Sequence, residues 1–214
     1  EVHRDQIEDD QIGFVGPQAQ GAGFSAKQWP DELVFEAVNK GTTTICHDGQ
    51  YFFDTDHPVG DGSVSNKFAY PLSIATLAAA QASYGAVRSA QKMQKDEEGR
   101  PLNVNPNVLL VATNIEDTAN TLMTVDKLED GKPNPYKGTA EVVEAPWLDD
   151  NTWYLLDTTK PVKPFVFQER KAPMMVSLTD PSSESVFNTG LFKFSVEARG
   201  AAGYGFWQLA FKGN

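Results

Sequence analysis

Cys46 and His47 are adjacent in the sequence and are the residue types of a thiol nucleophile and its general base. A base activates a nucleophile only when the two side chains are within hydrogen-bond reach. Neighbouring residues in an extended strand point to opposite faces, so direct neighbours rarely make that contact. The spacing therefore favours a small apolar cysteine beside a surface histidine. A hydrolase that uses Cys46 or His57 is kept as a less favoured alternative.

A second set of residues, Asp54, Asp56 and His57 with Asp61 nearby, could offer ligand atoms to a divalent cation. The segment lacks the glycine and the distal glutamate of a calcium-binding loop. Aspartate is also common in turns, because its side chain bonds to the nearby backbone. Zinc ligation by His3 and His57 would need partners that the sequence does not supply. We therefore predict turn residues here and no metal site.

A glycine-rich run at residues 200–205 resembles a phosphate-binding loop only superficially. The dinucleotide fingerprint has a different glycine order and opens a helix, whereas aromatic residues follow here, as in a strand bend or bulge. The chain has no Walker A lysine motif and no G-x-S-x-G elbow. Glu141 and Glu144 lie among strand residues, where exposed acids are ordinary. No catalytic, cofactor-binding or metal-binding residue is predicted, and no cofactor is expected.

The composition disfavours two classes of partner. The 214 residues include 18 Lys+Arg and 29 Asp+Glu, which gives a formal net charge of −11. Binding to nucleic acid or to anionic lipid needs clustered basic residues that displace counterions, so an acidic chain disfavours both. Hydrophobic residues make up 40% of the chain, enough to bury a core. Cys46 is the single cysteine, which excludes an intrachain disulfide and a multi-cysteine zinc site.

The uncharged stretch at residues 68–87 is long enough to cross a bilayer. Its apolar content is mostly alanine, however, which contributes little transfer free energy. Leu77, Ala80, Tyr84 and Val87 recur at helical spacing along one side. We therefore predict a helix at residues 73–95 that packs inside a globular body, and no membrane partner.

The N-terminal region predicts an interrupted helix. Asp5 and Glu8 have the spacing of a capping box. The helix is expected to break near Pro17 and the glycines at 21–23, to restart at Trp29-Pro30 and to end near Lys40. Its first apolar positions are Ile7, Ile12, Phe14 and Val15.

The rest of the chain predicts an α+β fold. Helices come first, mixed elements follow and strands come last, without regular βαβ alternation. The predicted elements are a hairpin at 42–54, a helix at 115–123 and strands at 107–112, 140–145, 153–157, 165–168, 191–198 and 204–211.

Several segments, taken as a set, resemble the major head (capsid) subunit of Mu-type bacteriophages and prophages. They occur in that family's order over nearly the whole chain. These segments are residues 3–13 (HRDQIEDDQIG), 48–58 (DGQYFFDTDHP), 99–102 (GRPL) with Pro106 and 109–111 (LLV), 134–138 (NPYKG), 153–156 (WYLL) and 199–207 (RGAAGYGFW).

The resemblance implies a Hong Kong 97-type capsid fold with two lobes. Residues 1–42 and 161–214 would form a peripheral lobe with an interrupted spine helix and long strands. Residues 43–160 would form an axial lobe of mixed sheet and helices. Subunits of this family begin with an N-terminal arm and an extended loop, and this sequence opens at the returning strand of that loop. We therefore expect a shortened chain or a proteolysed core. Such a chain is expected to fold but not to close shells.

The implied function is structural: a subunit that assembles into the icosahedral shell around packaged DNA, in the virion, after synthesis in the bacterial cytoplasm. The implied partners are other copies of itself in hexamers and pentamers, with scaffold, portal or decoration proteins as further partners. No enzyme activity and no sequence-specific nucleic-acid binding are expected. Another phage structural or decoration protein is an alternative from a different class.

Overall fold

The structure is a computed structural model that describes residues 2–9, 13 and 15–214. Ile12 and Phe14, two predicted apolar positions of the first helix, lie outside the described residues, as do residues 10 and 11 of the segment 3–13. The chain divides into two compact units. Unit 1 comprises Glu1–Leu33 and Phe167–Ala202, and unit 2 comprises Val34–Val166 and Gly203–Asn214.

The chain begins with a short strand, β1 (Val2–His3), and a short helix, α1 (Arg4–Glu8). The capping box of α1 lies at His3 and Gln6 rather than at the predicted Asp5 and Glu8. The His3 Nδ1 atom accepts from the Asp5 amide at 3.3 Å, and the Gln6 side chain accepts from the His3 amide at 3.2 Å. The prediction was wrong because an imidazole nitrogen serves as the cap here, outside the usual Ser, Thr, Asp and Asn.

The second helix, α2 (Val15–Lys40), is continuous over 26 residues. The predicted interruption near Pro17 and the restart at Pro30 are therefore wrong, because α2 runs through both prolines. Pro17 falls in the first turn, where its missing N–H costs no hydrogen bond. Pro30 lies inside the helix.

Two long strands, β8 (Phe165–Leu178) and β9 (Leu191–Tyr204), provide most of unit 1 after the helix. A short helix, α6 (Glu184–Thr189), connects them and ends at Gly190, which adopts a left-handed conformation (φ +66°). The hydrogen-bonded order of the sheet is β1-β9-β8. Both strands extend well beyond their predicted ends, and α6 was not predicted.

Unit 2 contains a five-stranded mixed sheet. Its strands are β4 (Lys67–Phe68), β5 (Val108–Val111), β6 (Glu141–Glu144), β7 (Trp153–Leu156) and β10 (Ala210–Gly213). Their order is β4-β10-β7-β5-β6, with β4–β10 and β5–β6 parallel and with β7 antiparallel to both β10 and β5. The strands predicted at 107–112, 140–145 and 153–157 are confirmed.

Two predicted strand regions in unit 2 differ from the structure. Residues 42–54 form turns with an isolated bridge between Ile45 and Tyr51, and the first hairpin instead pairs β2 (His57–Val59) with β3 (Gly62–Val64). The predicted strand at 204–211 is divided by a 3-10 helix at Trp207–Leu209. That turn buries the Trp207 ring, so tertiary packing outweighs the strand propensity of the aromatic residues.

The predicted helix at 73–95 is present over a shorter range. It runs as α3 (Leu77–Ala80), a π-helical segment (Gln81–Gly85) and α4 (Ala86–Lys92), with Thr76 as the N-cap. The predicted helix at 115–123 is α5 (Glu116–Thr124). Within the described part of the chain, no helix is both long and apolar enough to cross a membrane.

The sheet of unit 2 is covered on both faces. Alternate residues of β5 enter two cores: Leu109 packs against the helical side, and Leu110 packs on the opposite side. The helical side buries Tyr84, Val87, Leu122, Trp153 and Phe211, among others. The opposite side buries Val38, Phe52, Phe53, Tyr154 and Trp207, among others. A strand buried on both faces explains the continuous apolar run at 108–111.

Candidate functional site

A polar cluster in unit 2 brings together two of the candidate residues, Cys46 and His57, with a third residue, Asp48. Cys46 and Asp48 lie on a tight turn, in which the Cys46 amide donates to the Gln50 carbonyl at 2.8 Å. Gly49 closes the turn with φ +88°, a conformation that favours glycine. His57 is the first residue of β2. The turn and the strand bring Cys46, Asp48 and His57 together, although the last two are nine residues apart.

The Asp48 carboxylate lies between the other two side chains. Its Oδ1 accepts from the Cys46 thiol at 2.9 Å, and its Oδ2 lies 2.6 Å from the His57 Nδ1 atom. The Gln50 amide also donates to Oδ1, at 3.1 Å. Desolvation raises the pKa of Asp48, but the hydrogen bonds from Cys46, His57 and Gln50 outweigh it and hold that pKa below its usual value.

His57 is completely buried, and both of its ring nitrogens face acceptor atoms. Nε2 lies 3.2 Å from the Asn66 Oδ1 atom. The Asn66 amide is oriented by its neighbours, since Oδ1 accepts from the Asp54 amide at 2.9 Å and Nδ2 donates to the Phe52 carbonyl at 2.7 Å. Each ring nitrogen thus faces a side-chain oxygen, that of Asp48 on one side and that of Asn66 on the other.

The His57 ring is stacked on Trp207, with centroids 4.0 Å apart and planes 10° from parallel. Asn66, which faces the other edge of the ring, is held by a further hydrogen bond, because the Asn66 Nδ2 atom also donates to the Ala210 carbonyl at 3.2 Å. Packing and hydrogen bonds thus hold the imidazole in one orientation. Such a fixed histidine is the kind of group that a binding or catalytic site requires.

The arrangement does not activate Cys46 as a nucleophile. The carboxylate separates the thiol from the imidazole, whereas a thiol–imidazole pair needs direct contact. Burial, assisted by the hydrogen bond to Asp48, raises the pKa of Cys46 to about 11. The thiol therefore stays protonated near neutral pH and is a poor nucleophile. His47 is exposed, and its ring meets Phe206 edge-on at 5.9 Å.

One of the acidic residues predicted in turns, Asp54, bonds to the nearby backbone. Asp54 accepts from the amides of Thr55 at 2.7 Å and Tyr51 at 3.3 Å, and the Thr55 bond lowers its pKa despite desolvation. Asp56 and Asp61 are exposed. In residues 2–9, 13 and 15–214, the group of metal-ligating side chains close enough to share an ion is Cys46, Asp48 and His57. The sequence analysis missed Asp48, although the Asp-Gly turn beside Cys46 was a signal for it.

The remaining candidate residues have local structural roles. Glu144 accepts a hydrogen bond from Thr113, and Glu141 is exposed on β6. Gly200 lies within β9, where a Cβ atom would come 2.5 Å from the Phe167 ring. A Cβ atom at Gly205 would come 2.0 Å from the Lys163 carbonyl oxygen. Close packing accounts for both glycines without a bound phosphate.

Unit 1 presents a different candidate, an exposed apolar surface. Every residue from 172 to 178 of β8 and from 193 to 197 of β9 is exposed. We call these two segments the strand surface. Its large apolar side chains are Met174, Met175, Val176, Leu178, Phe194 and Val196. Phe187 of α6, in the same unit, is 81% exposed. Large apolar side chains exposed in such number mark interaction sites in soluble proteins where they form a patch.

The family model of the Mu-like prophage major head subunit gpT matches this sequence in three segments, residues 1–76, 71–148 and 149–214. The chain belongs to that family. The resemblance drawn from the sequence segments is therefore confirmed.

Two curated relatives show the same relationship. The Mu-like prophage FluMu major head subunit of Haemophilus influenzae is 33% identical over 98% of this chain. The major capsid protein of Escherichia phage Mu is 30% identical, also over 98% of this chain. The chain spans 47% of the length of each of these relatives.

A solved structure supports the fold. The bacteriophage JBD30 capsid matches with a TM-score of 0.63 and 26% identity, over 69% of this chain and 72% of that chain. Together with the mixed helices and sheets described above, this likeness confirms the predicted α+β class and Hong Kong 97-type capsid fold. The strand surface and the polar cluster thus belong to a member of a capsid family.

Proposed function

We propose that this chain is part of a phage-head subunit that assembles with copies of itself into the shell around packaged DNA. The observation that carries the proposal is the strand surface, because it holds six large apolar side chains and none of them is buried in the single chain. Family membership gives the class of protein, and the strand surface gives the kind of contact. The site of action is the virion, after synthesis in the bacterial cytoplasm.

Shell assembly needs contacts that are individually weak and many in number. Burying apolar surface contributes about 25 cal/mol per Å². Contacts that close together reinforce one another through effective concentration, so each contact can remain weak. Six large apolar side chains on two neighbouring strands suit such a repeated contact. The partners we propose are other copies in hexamers and pentamers, with scaffold, portal or decoration proteins as additional ones.

The lobe assignment is also a proposal: a peripheral lobe at residues 1–42 and 161–214, and an axial lobe at 43–160. The division into units supports it, since both segments of unit 1 fall within the proposed peripheral ranges. Unit 2 contains the whole of the proposed axial range.

We expect Val176→Glu to weaken self-association. A charge on the strand surface must be desolvated whenever that surface is covered, which opposes assembly. The control is Met93→Glu, which places the same charge on an apolar residue of unit 2 that is also well exposed. Sedimentation velocity over a range of concentrations measures the effect, and electron microscopy identifies any particles.

We expect the unsubstituted chain to form oligomers in a concentration-dependent way. Val176→Glu should lower the association constant at least about tenfold, which is equivalent to about 1.4 kcal/mol. Met93→Glu should leave association unchanged. A chain that stays monomeric at every concentration, or equal effects of the two variants, would contradict the proposed role of the strand surface.

The acidic charge is proposed to keep the protein from adhering to the genome that the shell encloses. With a net charge of −11, the chain and DNA repel each other over the range set by salt screening. In a gel-retardation assay at low salt we expect no stable complex with duplex DNA, whatever its sequence. Tight binding would exclude this interpretation.

The proposed role involves no catalytic turnover. The polar cluster supports this view, because the carboxylate of Asp48 separates the Cys46 thiol from the His57 imidazole. A thiol with a pKa of about 11 also lacks the reactivity that a cysteine hydrolase needs. The hydrolase alternative that uses Cys46 or His57 therefore has no supporting geometry.

A further inference from the structure

We propose that Cys46, Asp48 and His57 form a binding site for a single Zn²⁺ ion. The three donors are a thiol sulfur, a carboxylate oxygen and an imidazole nitrogen, and all of them lie within 4.8 Å of one another. This mixture of sulfur, nitrogen and oxygen ligands suits Zn²⁺ and is unsuited to Mg²⁺ or Ca²⁺, which prefer oxygen ligands alone.

The spacing of the donors is close to what tetrahedral zinc requires. Zinc–ligand bonds of about 2.0–2.3 Å place neighbouring donor atoms roughly 3.3–3.6 Å apart. The Cys46–Asp48 and Asp48–His57 pairs are hydrogen-bonded at 2.9 and 2.6 Å. An ion that replaces the shared hydrogens widens both pairs by less than about 1 Å. The donor atoms of Cys46 and His57 lie at most 4.8 Å apart, so this pair must close by no more than about 1.5 Å.

The charge of the occupied site is balanced. Zn²⁺ bound to a thiolate, a carboxylate and a neutral imidazole sums to zero, and the proton of the Cys46 thiol leaves on binding. A buried ligand such as His57 therefore carries no unbalanced charge in the complex.

The surroundings of His57 are those of a metal ligand. Histidines that bind a metal donate their other ring N–H to an oxygen, which fixes the ring and its tautomer. Here Nε2 faces the Asn66 Oδ1 atom at 3.2 Å, and Asn66 is itself held by the Asp54 amide. Trp207 holds the plane of the ring by stacking. The outer shell that a metal site needs is thus already in place.

An access route and a fourth coordination position are also available. Asp48 lines an open groove of about 800 Å³ in unit 2, from which a water molecule can complete the tetrahedron. The groove is lined by four acidic residues and two basic ones, namely Asp48, Asp96, Glu97, Glu98, Lys95 and Arg100. The excess of negative charge raises the local concentration of cations at the entrance.

The test is metal binding to the whole chain after treatment with a chelator. Zn²⁺ is titrated calorimetrically, and Co²⁺ serves as a spectroscopic probe, since a cobalt–thiolate bond gives a charge-transfer absorption that a carboxylate or imidazole does not. We expect one equivalent of each ion to bind, a thiolate band with Co²⁺, and a higher melting temperature with Zn²⁺, because binding to the folded state stabilises it.

The variants are Cys46→Ser and, as the matched control, His47→Gln. Cys46→Ser keeps the size of the side chain and removes the thiolate, so it should abolish the cobalt–thiolate band. It should also weaken zinc binding at least about 100-fold, no less than the loss of an outer-shell partner does. His47→Gln removes an exposed histidine next to the cluster and should change neither measurement. His57 is left intact because it is completely buried.

Three results would overturn the site. They are the absence of saturable binding by the unsubstituted chain, equal zinc affinity in Cys46→Ser, and a loss of affinity in His47→Gln as large as that in Cys46→Ser. None of these results bears on shell assembly, which depends on the strand surface of unit 1.

Discussion

The strands of the two units bury their side chains in opposite ways. In unit 2, all four residues of β7 are buried, and β5 sends alternate residues into two cores. In unit 1, seven consecutive residues of β8, 172–178, are exposed, although alternate residues point to opposite faces of the strand. Unit 2 therefore has the packing of a domain core, which the strand surface lacks.

The largest expected effect that tests this contrast is the loss of a core side chain in unit 2. Trp153 is completely buried, and its indole N–H donates to the Tyr70 carbonyl at 2.8 Å. Trp153→Ala should lower the free energy of unfolding by about 3–5 kcal/mol, because it opens a cavity and leaves an unpaired carbonyl. Urea denaturation followed by circular dichroism measures the change.

The control for this substitution is Met174→Ala on the strand surface. Met174 is 50% exposed, so the unfolding free energy should change by no more than about 0.5 kcal/mol. If Met174→Ala destabilised the chain as much as Trp153→Ala, the strand surface would be part of a core and the contrast between the units would fail.

A smaller effect is expected at Gly85, in the π-helical segment. A Cβ atom there would lie 2.1 Å from the Tyr136 hydroxyl oxygen, so the close approach of Tyr136 requires glycine. Gly85→Ala should lower the unfolding free energy by about 1 kcal/mol, since steric overlap outweighs the better helix propensity of alanine. In a Tyr136→Ala background the same substitution should be neutral or stabilising, and a double-mutant cycle measures this coupling.

Gly21 of α2 in unit 1 provides the matched comparison. A Cβ atom there meets nothing within 4 Å. Gly21→Ala should therefore raise the unfolding free energy by about 0.5–1 kcal/mol, the ordinary gain for alanine inside a helix. Similar effects at Gly85 and Gly21 would show that Tyr136 imposes no constraint on the helix of unit 2.

Sequence patterns predicted several of the regular elements of unit 2. Buried elements leave a local pattern in the sequence. Two examples are the run of four apolar residues at 108–111 and the helical spacing of Leu77, Ala80, Tyr84 and Val87. The patterns failed for β8, which was predicted to end at residue 168 and continues to Leu178. A strand exposed on both faces has no alternation of apolar and polar residues to read.

The polar cluster shows that local sequence patterns are limited in the same way when they are used to predict a functional site. The acidic residues around His57 were visible in the sequence and predicted turns. Asp54 does accept from nearby amides, whereas His57 lies on β2. The meeting of Cys46, Asp48 and His57 was not visible, because the path of the chain between the turn and β2 decides it. The lobe boundaries and the assignment of no functional site residues stay predictions.

By itself, the sequence determined the family, the α+β class, the acidic charge and the elements whose burial follows a local period. These properties depend on residue types and short spacings, which are present before folding. Only the tertiary structure decided that Asp48 lies between a thiol and an imidazole, that Gly85 accommodates Tyr136, and that the strand surface is uncovered. Each of these depends on which distant segments meet, and side-chain packing across the whole core fixes that choice.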